Sequence, residues 1–360
     1  MRQVFAMLVA VGLAAGSVAA QQAGSTGSYQ VPRLPDGHPD LQGVWSNNGI
    51  TPMTRPTQWK DKGQYLTPAE VEELKQILAK FVDQGGDAIF GNVVQLALNA
   101  KDTGKFNQTS YDPTTGNYNQ FWMADREIDN RTSLIVDPPD GQYPPLTAEA
   151  QARRALGRRQ VVVEGSESGP RGPADGPEDR PLSERCISYG VPRVQANYNS
   201  YYQIVQAPET VTIYQEMIHD ARTVNMSRAP HLPASVRQLH GDPRGWWEGD
   251  TLVVESTNFV NGFQGSTPDV KITERFTRVE PDHLNWQVTV DDPKTWTKPW
   301  TFMIRLKKTD EQIYEYACHE GNHSMVGILA GARADEAREA AAAKKTAATK
   351  AAATKTAPKK

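Results

Sequence analysis

Residues from Tyr201 onward alternate between hydrophobic and polar with a period of two, which is typical of half-buried β-strands. The pattern predicts strands over 211–217, 252–254, 271–279, 284–290, 301–306 and 313–318. Short polar turns such as 280–282 separate them, which favours an antiparallel meander. A meander closed into a barrel has no exposed edges. We therefore predict a mainly β fold, a lipocalin-like barrel or a strongly curved sheet, over residues 201–325.

The first half of the chain contains helical signals and long loops. Thr67 is a good N-cap, Pro68 suits the first helical position, and Glu70 completes a capping box. Apolar residues then recur at helical spacing, which predicts a helix over 68–82. A second helix is expected over 148–160, and short strands over 41–45 and 132–137. Few apolar runs remain for a separate core, so we expect these N-terminal helices and loops to pack around the barrel.

The amino-terminal residues 1–20 have the features of a secretory signal peptide. A positive residue, Arg2, precedes the 12-residue apolar run 4–15, which is shorter than the roughly 20 residues of a membrane-spanning helix. Small residues at 18–20 predict cleavage after Ala20. The mature protein is then expected to be periplasmic or secreted, with no membrane span. The alternative is an uncleaved N-terminal anchor.

Composition changes divide the rest of the chain. We expect an N-terminal helix and loop region over 21–163, a flexible Gly/Pro loop over 164–181, a β-barrel domain over 182–332 and an Ala/Lys-rich tail over 333–360. Residues 341–360 contain six lysines and no acid, whereas the body of the chain without these lysines and Arg2 has a formal charge near −10. Such a tail either is simply solvated or makes weak contact with anionic envelope polymers. Export argues against nucleic acid as a partner.

The chain has two cysteines, Cys186 and Cys318. In an oxidising compartment the simplest outcome is one disulfide, closing a loop of 132 residues. The alternative is two buried free thiols. A bridge would bring Arg185 beside the segment that carries His319.

Three segments resemble a group of exported bacterial proteins: PRGWWEGDTLVVESTNF (243–259), ERFTRVEPDHLNWQVTVDDPKTWTKPW (274–300) and YEYACHEGN (314–322). RTSLIVDPPDG (131–141) and RPLSERC (180–186) are similar to that group too. The resemblance covers most of the mature chain, and it implies no particular activity. The hairpin at 245–252 also resembles lipocalin-type small-molecule proteins, and this second likeness concerns the fold.

Titratable residues at the ends of the predicted strands suggest acid–base chemistry. His219 continues the buried face of the 211–217 strand and precedes Asp220. His319 shares the parity of Ile313 and precedes Glu320. A histidine with a carboxylate neighbour can move protons near neutral pH. We expect both imidazoles to project into one shared hollow, with these four residues as the catalytic set.

Six further residues are expected to bind the substrate. Arginines can hold a carboxylate or stabilise an oxyanion, and aromatic rings can stack on a ligand. The candidates are Arg222, His240, Arg244, Trp247, Glu274 and Tyr316. The alternative for the polar members is an internal ion-pair network that organises the barrel. Two alternative roles, stacking on sugar rings or packing in the core, are open for four tryptophans: Trp246, Trp247, Trp296 and Trp300.

Cofactor motifs are missing from the sequence. It has no GxGxxG, GxxxxGK[ST], GxSxG, CxxC or HExxH pattern, so we expect no cofactor. A metal held by His319 and His323 is the alternative. The leading hypothesis is an exported, cofactor-independent lyase, isomerase, hydratase or hydrolase that acts on a small organic or sugar-derived molecule. The second is a non-catalytic periplasmic binder of a small molecule or glycan, and the third is an envelope structural protein.

Overall fold

The computed structural model describes residues 29–82, 92–105, 126–156, 167–168, 174–194 and 198–356. The predicted signal peptide and parts of the predicted 164–181 loop lie outside these ranges. From Val31 onward the chain forms one compact unit. Its strands are β1 (Gly43–Ser46), β2 (Ile135–Asp137), β3 (Glu167–Ser168), β4 (Tyr201–Ala207), β5 (Thr210–Gln215), β6 (Asp220–Asn225), β7 (Asp242–Glu248), β8 (Thr251–Thr257), β9 (Gly262–Phe263), β10 (Lys271–Glu280), β11 (His283–Asp291) and β12 (Trp300–Thr309).

Nine strands form a closed barrel in the order β1, β4, β5, β6, β7, β8, β10, β11, β12, and β12 pairs back onto β1. The predicted mainly β barrel is therefore confirmed. Most neighbours are antiparallel hairpin partners, as expected from the short turns. The exception is the β6–β7 pair, which is parallel, because the long 226–241 connection crosses over before β7 begins.

The barrel is closed by a strand from the N-terminal region. β1 pairs with β4 on one side and with β12 on the other, both antiparallel. β2 adds to the sheet beside β12, and β3 forms a separate two-stranded pair with β9. The sheet therefore extends well beyond the predicted limits of 201–325.

Large aromatic side chains occupy the interior of the barrel. Trp45, Trp286, Phe276, Trp300 and Phe302 are almost completely buried, and the rings of Phe276 and Trp286 stack with centroids 5.4 Å apart. The buried alternate positions of β10 to β12 follow the predicted phase. The core is therefore packed with side chains at these levels, unlike a barrel that encloses a large apolar ligand.

The described residues contain four α-helices, which lie outside the barrel: α1 (Pro68–Val82), α2 (Val93–Thr103), α3 (Ala148–Leu156) and α4 (Ser324–Thr356). α1 has the predicted bounds, and its capping box forms: Thr67 N donates to Glu70 Oε2 at 2.8 Å and Glu70 N to Thr67 Oγ1 at 3.4 Å. α2 was not predicted. It begins at Asn92, whose side chain caps Gln95 N at 3.0 Å. The two helices share a small second core.

One prediction about the carboxyl-terminal part is wrong. Residues 313–318 do not form a strand but an irregular segment, because the chain leaves the barrel after β12, whose two sides are already paired. Residues 333–356 belong to α4, since alanine has the highest helix propensity. Within this helix, Arg333 Nε donates to Ala174 O at 2.6 Å. No helix within the described residues is long and apolar enough to cross a membrane.

Candidate functional site

The turn between β5 and β6 sets the position of the site. It is a single 3-10 turn over Met217–His219 in which Ile218 and His219 have φ values of 59° and 46°. Left-handed backbone is costly for a β-branched residue such as Ile218. The turn resets the strand phase, so Asp220 and Arg222 point into the barrel and His219 points outward.

The predicted catalytic histidines do not share an interior hollow. His219 is exposed, and its Nδ1 lies 3.1 Å from the backbone oxygen of Tyr316. His319 and Glu320 are exposed in a turn. The interior placement predicted for both rings is therefore wrong, because the 3-10 turn shifts the phase of the first and the second lies on no strand.

Asp220 instead meets a different histidine inside the barrel end. His240 Nε2 lies 3.4 Å from Asp220 Oδ1 and 3.2 Å from Ser188 Oγ. Ser188 Oγ donates to Asp220 Oδ2 at 2.8 Å and accepts from Gly190 N at 2.8 Å. The sequence analysis had placed Asp220 in the catalytic set and His240 among the substrate-binding residues, and the structure brings these two together.

These contacts determine which nitrogen of the neutral His240 ring carries the proton. The Ser188 hydroxyl donates its hydrogen bond to Asp220. Ser188 Oγ and the Asp220 carboxylate therefore both act only as acceptors toward His240 Nε2. His240 therefore carries its proton on Nε2 and keeps a lone pair on Nδ1. In a Ser-His-Asp triad the serine and the aspartate bind opposite ring nitrogens. Here both bind Nε2, and Ser188 is completely buried, so this serine is not a nucleophile of that kind.

Gly241, the residue after His240, restricts the backbone conformation next to this histidine. Gly241 has a φ of +72°, and a Cβ there would lie 2.8 Å from the ring of Phe259 and 2.8 Å from Thr257 O. Glycine is therefore required for His240 to approach the barrel.

Arg222 and Glu274, both predicted to bind substrate, pair with each other. The guanidinium makes a bidentate ion pair with the carboxylate, which is completely buried. Trp286 Nε1 also donates to Glu274 Oε1 at 2.9 Å. The ion-pair alternative therefore describes these two residues, since their charges are already matched.

A small cavity connects the histidine network with this ion pair. Its polar and aromatic lining includes Arg193, Gln215, Asp220, Arg222, His240 and Trp286. About 10 Å³ is open to the centre of a water-sized molecule, which is space for about one water. The cavity can hold a small polar group but not a whole organic molecule.

Arg193 is the most unusual residue of the lining. It is 2 % exposed, its Nη1 donates to Asn199 O at 2.8 Å, and its buried Nε has no hydrogen-bond partner in the part of the chain that the structure describes. Burial lowers the pKa of this guanidinium, which the nearby tyrosines partly offset. The ring of Tyr189 lies 5.5 Å from the guanidinium carbon. Among the described residues no carboxylate forms an ion pair with Arg193.

Glu216 lies close to this end of the barrel. It is 2 % exposed, and its Oε1 accepts from Tyr314 N at 3.3 Å. Burial raises the pKa of this carboxyl, opposed by hydrogen bonds and by the charge of Arg193. Buried groups with shifted pKa values are concentrated at functional sites.

The remaining predicted binding residues lie elsewhere. Arg244 Nη2 pairs with Asp242 Oδ1 at 3.0 Å, beside His231, whose two ring nitrogens face Asp242 and Glu255. Trp247 stacks on His38 with centroids 4.9 Å apart. The Tyr316 ring lies 6.4 Å from that of Tyr198. Trp296 and Trp300 are buried in the core and are not available for sugar stacking.

The disulfide between Cys186 and Cys318 is formed. It ties the segment that carries Ser188 and Arg193 to the segment that follows β12. Asn322 Nδ2 adds a second link to this segment, donating to Glu184 O at 3.0 Å.

The described residues contain one group with metal-ligand geometry, formed by Glu280, Asp282 and His283. His283 Nδ1 lies 3.0 Å from Asp282 Oδ1, and its Nε2 lies 3.0 Å from Glu127 Oε1. Arg305 Nη2 also pairs with Glu280 Oε2 at 2.7 Å. These contacts describe a network of polar and charged side chains around the His283 ring. The alternative ligands His319 and His323 are both exposed and belong to no such group.

Sequence reasoning missed Ser188, Arg193, Gln215 and Glu216. Ser188 and Arg193 lie in an irregular segment without periodicity. The signal that points to them is Cys186, because the predicted bridge fixes the residues that follow it against the barrel. Gln215 and Glu216 mark the point where polar residues interrupt the apolar face of β5.

Comparison with known proteins gives neither a matching family model nor a similar curated sequence.

Proposed function

We propose that the protein is an exported acid–base enzyme that acts on a small organic molecule at the end of the barrel. The observation that carries the proposal is the His240–Asp220–Ser188 network on the wall of a cavity that two arginines also line. The signal-like N-terminus and the disulfide support export.

The chemistry follows from the tautomer. The Nδ1 lone pair of His240 accepts a proton from the substrate, and the resulting imidazolium is stabilised by Asp220. The same proton then returns to another substrate atom or passes to water, which regenerates the neutral ring. Isomerisation, elimination and hydration all use such a step.

The proposal is tested with pooled small organic acids and sugar derivatives in D₂O. Mass spectrometry detects each carbon-bound hydrogen that is exchanged, and each new product. We expect wild type to exchange or convert at least one compound, and His240→Gln and Asp220→Asn to lose at least about 100-fold in rate, the usual contribution of a general base.

Two other histidines provide controls. His231→Gln changes an imidazole that also faces two carboxylates but lies away from the cavity, and it should retain the activity. His219→Gln tests the histidine predicted from strand phase. Loss of activity in His219→Gln with full activity in His240→Gln would overturn the assignment, and no exchange or product in wild type would overturn the enzymatic function.

A non-catalytic binder of an apolar ligand or a glycan has less support. The interior is filled by Trp45, Phe276 and Trp286, and Trp296 and Trp300 are buried. Binding without conversion in the same experiment would favour this second function.

We also propose that the end of α4 contacts anionic envelope polymers. Residues 340–349 are exposed, and no acid follows Glu339. Binding of the full chain to a polyanion such as teichoic acid should weaken with rising salt and should be lost after truncation at residue 340. Equal binding by the truncated chain would contradict this contact.

A further inference from the structure

The guanidinium of Arg193 has one engaged and one free edge. Nη1 donates to Asn199 O, whereas the edge formed by Nε and Nη2 meets no partner within the described part of the chain. This is the edge that presents two parallel N–H groups to a planar acceptor. A buried donor without an acceptor is rare in folded proteins.

Arg193 also has no ion-pair partner among the described residues. Burying a cation without an ion-pair partner is costly, and the face of Tyr189 compensates only part of that cost. Asp220 already accepts from Ser188, and Glu216 interacts with Arg193 through its charge without forming an ion pair within the described residues. The free edge of the guanidinium is therefore still open to an anion from outside the chain.

We propose that Arg193 binds the carboxylate of a small organic acid through its free Nε–Nη2 edge. This inference rests on the proposed function, because the carboxylate group of the bound acid then enters the cavity that His240 also lines. It names the substrate class as monocarboxylic acids.

The size and lining of the cavity favour a carboxylate over a tetrahedral oxyanion. Space for about one water suits one oxygen of a flat carboxylate, whereas phosphate and sulfate are bulkier and carry additional oxygens that need donors. Val191 and Ile213 add apolar lining, which supplies no donors for such additional oxygens.

The test measures binding, independently of turnover. Isothermal titration calorimetry on the full chain uses monocarboxylic acids of two to six carbons, their primary amides, inorganic phosphate and sulfate. We expect at least one carboxylate to bind, with its amide and Arg193→Lys each weaker by about 10- to 100-fold, the effect of losing a charge-assisted, bidentate contact. Arg275→Lys, on the surface beside Glu248, is the matched control and should bind like wild type.

Three results would overturn the inference: no acid that binds better than its amide, equal affinity in Arg193→Lys, or tighter binding of phosphate or sulfate than of any carboxylate. The wild-type comparison of acid with amide decides the question even where the lysine variant does not fold. His240→Gln should keep the affinity. Carboxylate binding without proton exchange in wild type would refute the enzymatic function but not the carboxylate site. Proton exchange that is unchanged in Arg193→Lys would refute the carboxylate site but not the enzymatic function.

Discussion

Replacing Glu274 by glutamine isolates the buried charge pair at the centre of the barrel. The amide has nearly the same size as the carboxylate, and its oxygen can still accept from Trp286 Nε1, which lies 2.9 Å from Glu274 Oε1. The substitution therefore removes the negative charge and leaves the cation of Arg222 buried. Glu274 is completely buried and the Arg222 side chain is 5 % exposed, so bulk water has little access to the guanidinium that is left unpaired.

Removal of one member of a buried ion pair costs about 3–5 kcal/mol. Because small domains unfold with about 5–15 kcal/mol, Glu274→Gln should lose a large part of the stability. Arg222→Met should cost a similar amount, since it leaves the carboxylate unpaired. The double variant removes both charges and should be destabilised less than the two single variants together, with a coupling energy of about 3 kcal/mol.

Urea unfolding followed by tryptophan fluorescence and far-UV circular dichroism measures these energies, with the disulfide intact. Glu248→Gln breaks the exposed pair with Arg275 and serves as the control, with an expected cost of no more than about 1 kcal/mol. The reasoning is refuted if Glu274→Gln costs no more than this control, or if the costs of the two single variants simply add.

Three further predictions concern stability. The double variant Cys186→Ala/Cys318→Ala should lose roughly 3–5 kcal/mol of unfolding free energy, since the bridge closes a loop of 132 residues; urea unfolding that shows a loss below about 1 kcal/mol would contradict it. Burial raises the pKa of Glu216, so its contribution is fully present below the ordinary value of 4.5 and is lost as the pH rises through the higher folded value. Wild type should therefore gain stability relative to Glu216→Gln between pH 7 and pH 4, and a pH-independent difference would be the opposing result. Thr67→Ala removes the N-cap of α1 and should cost about 1 kcal/mol in thermal or urea unfolding, whereas no change would show that the cap is dispensable.

Elements specified by local pattern were predictable from the sequence. The alternation in β10 placed Glu274 and Arg278 on the inner face, and both are buried. The capping box at Thr67 fixed the start of α1. The disulfide was predictable because the chain has two cysteines and a signal-like N-terminus. For β10 and α1, the residues that determine the element lie within it or directly beside it. For the disulfide, each cysteine has only the other cysteine to pair with.

The site depends on features that local pattern does not encode. One 3-10 turn moves His219 from the predicted interior to the surface and carries Asp220 inside, and period-two reasoning cannot foresee a left-handed Ile218. Arg193 reaches the barrel end from an irregular segment that the disulfide holds. His240 precedes a strand and follows a long connection, so its contact with Asp220 depends on the crossover before β7.

Because β1 closes the barrel, the folding unit must include the N-terminal region that carries this strand. A fragment that starts at residue 182 lacks Gly43–Ser46, which pair with β4 and β12. Both strands would then present unpaired backbone groups, and such open edges recruit other chains into intermolecular sheets. The barrel strands alone should therefore associate through these edges, and the four residues of β1 are what covers both of them in the intact chain.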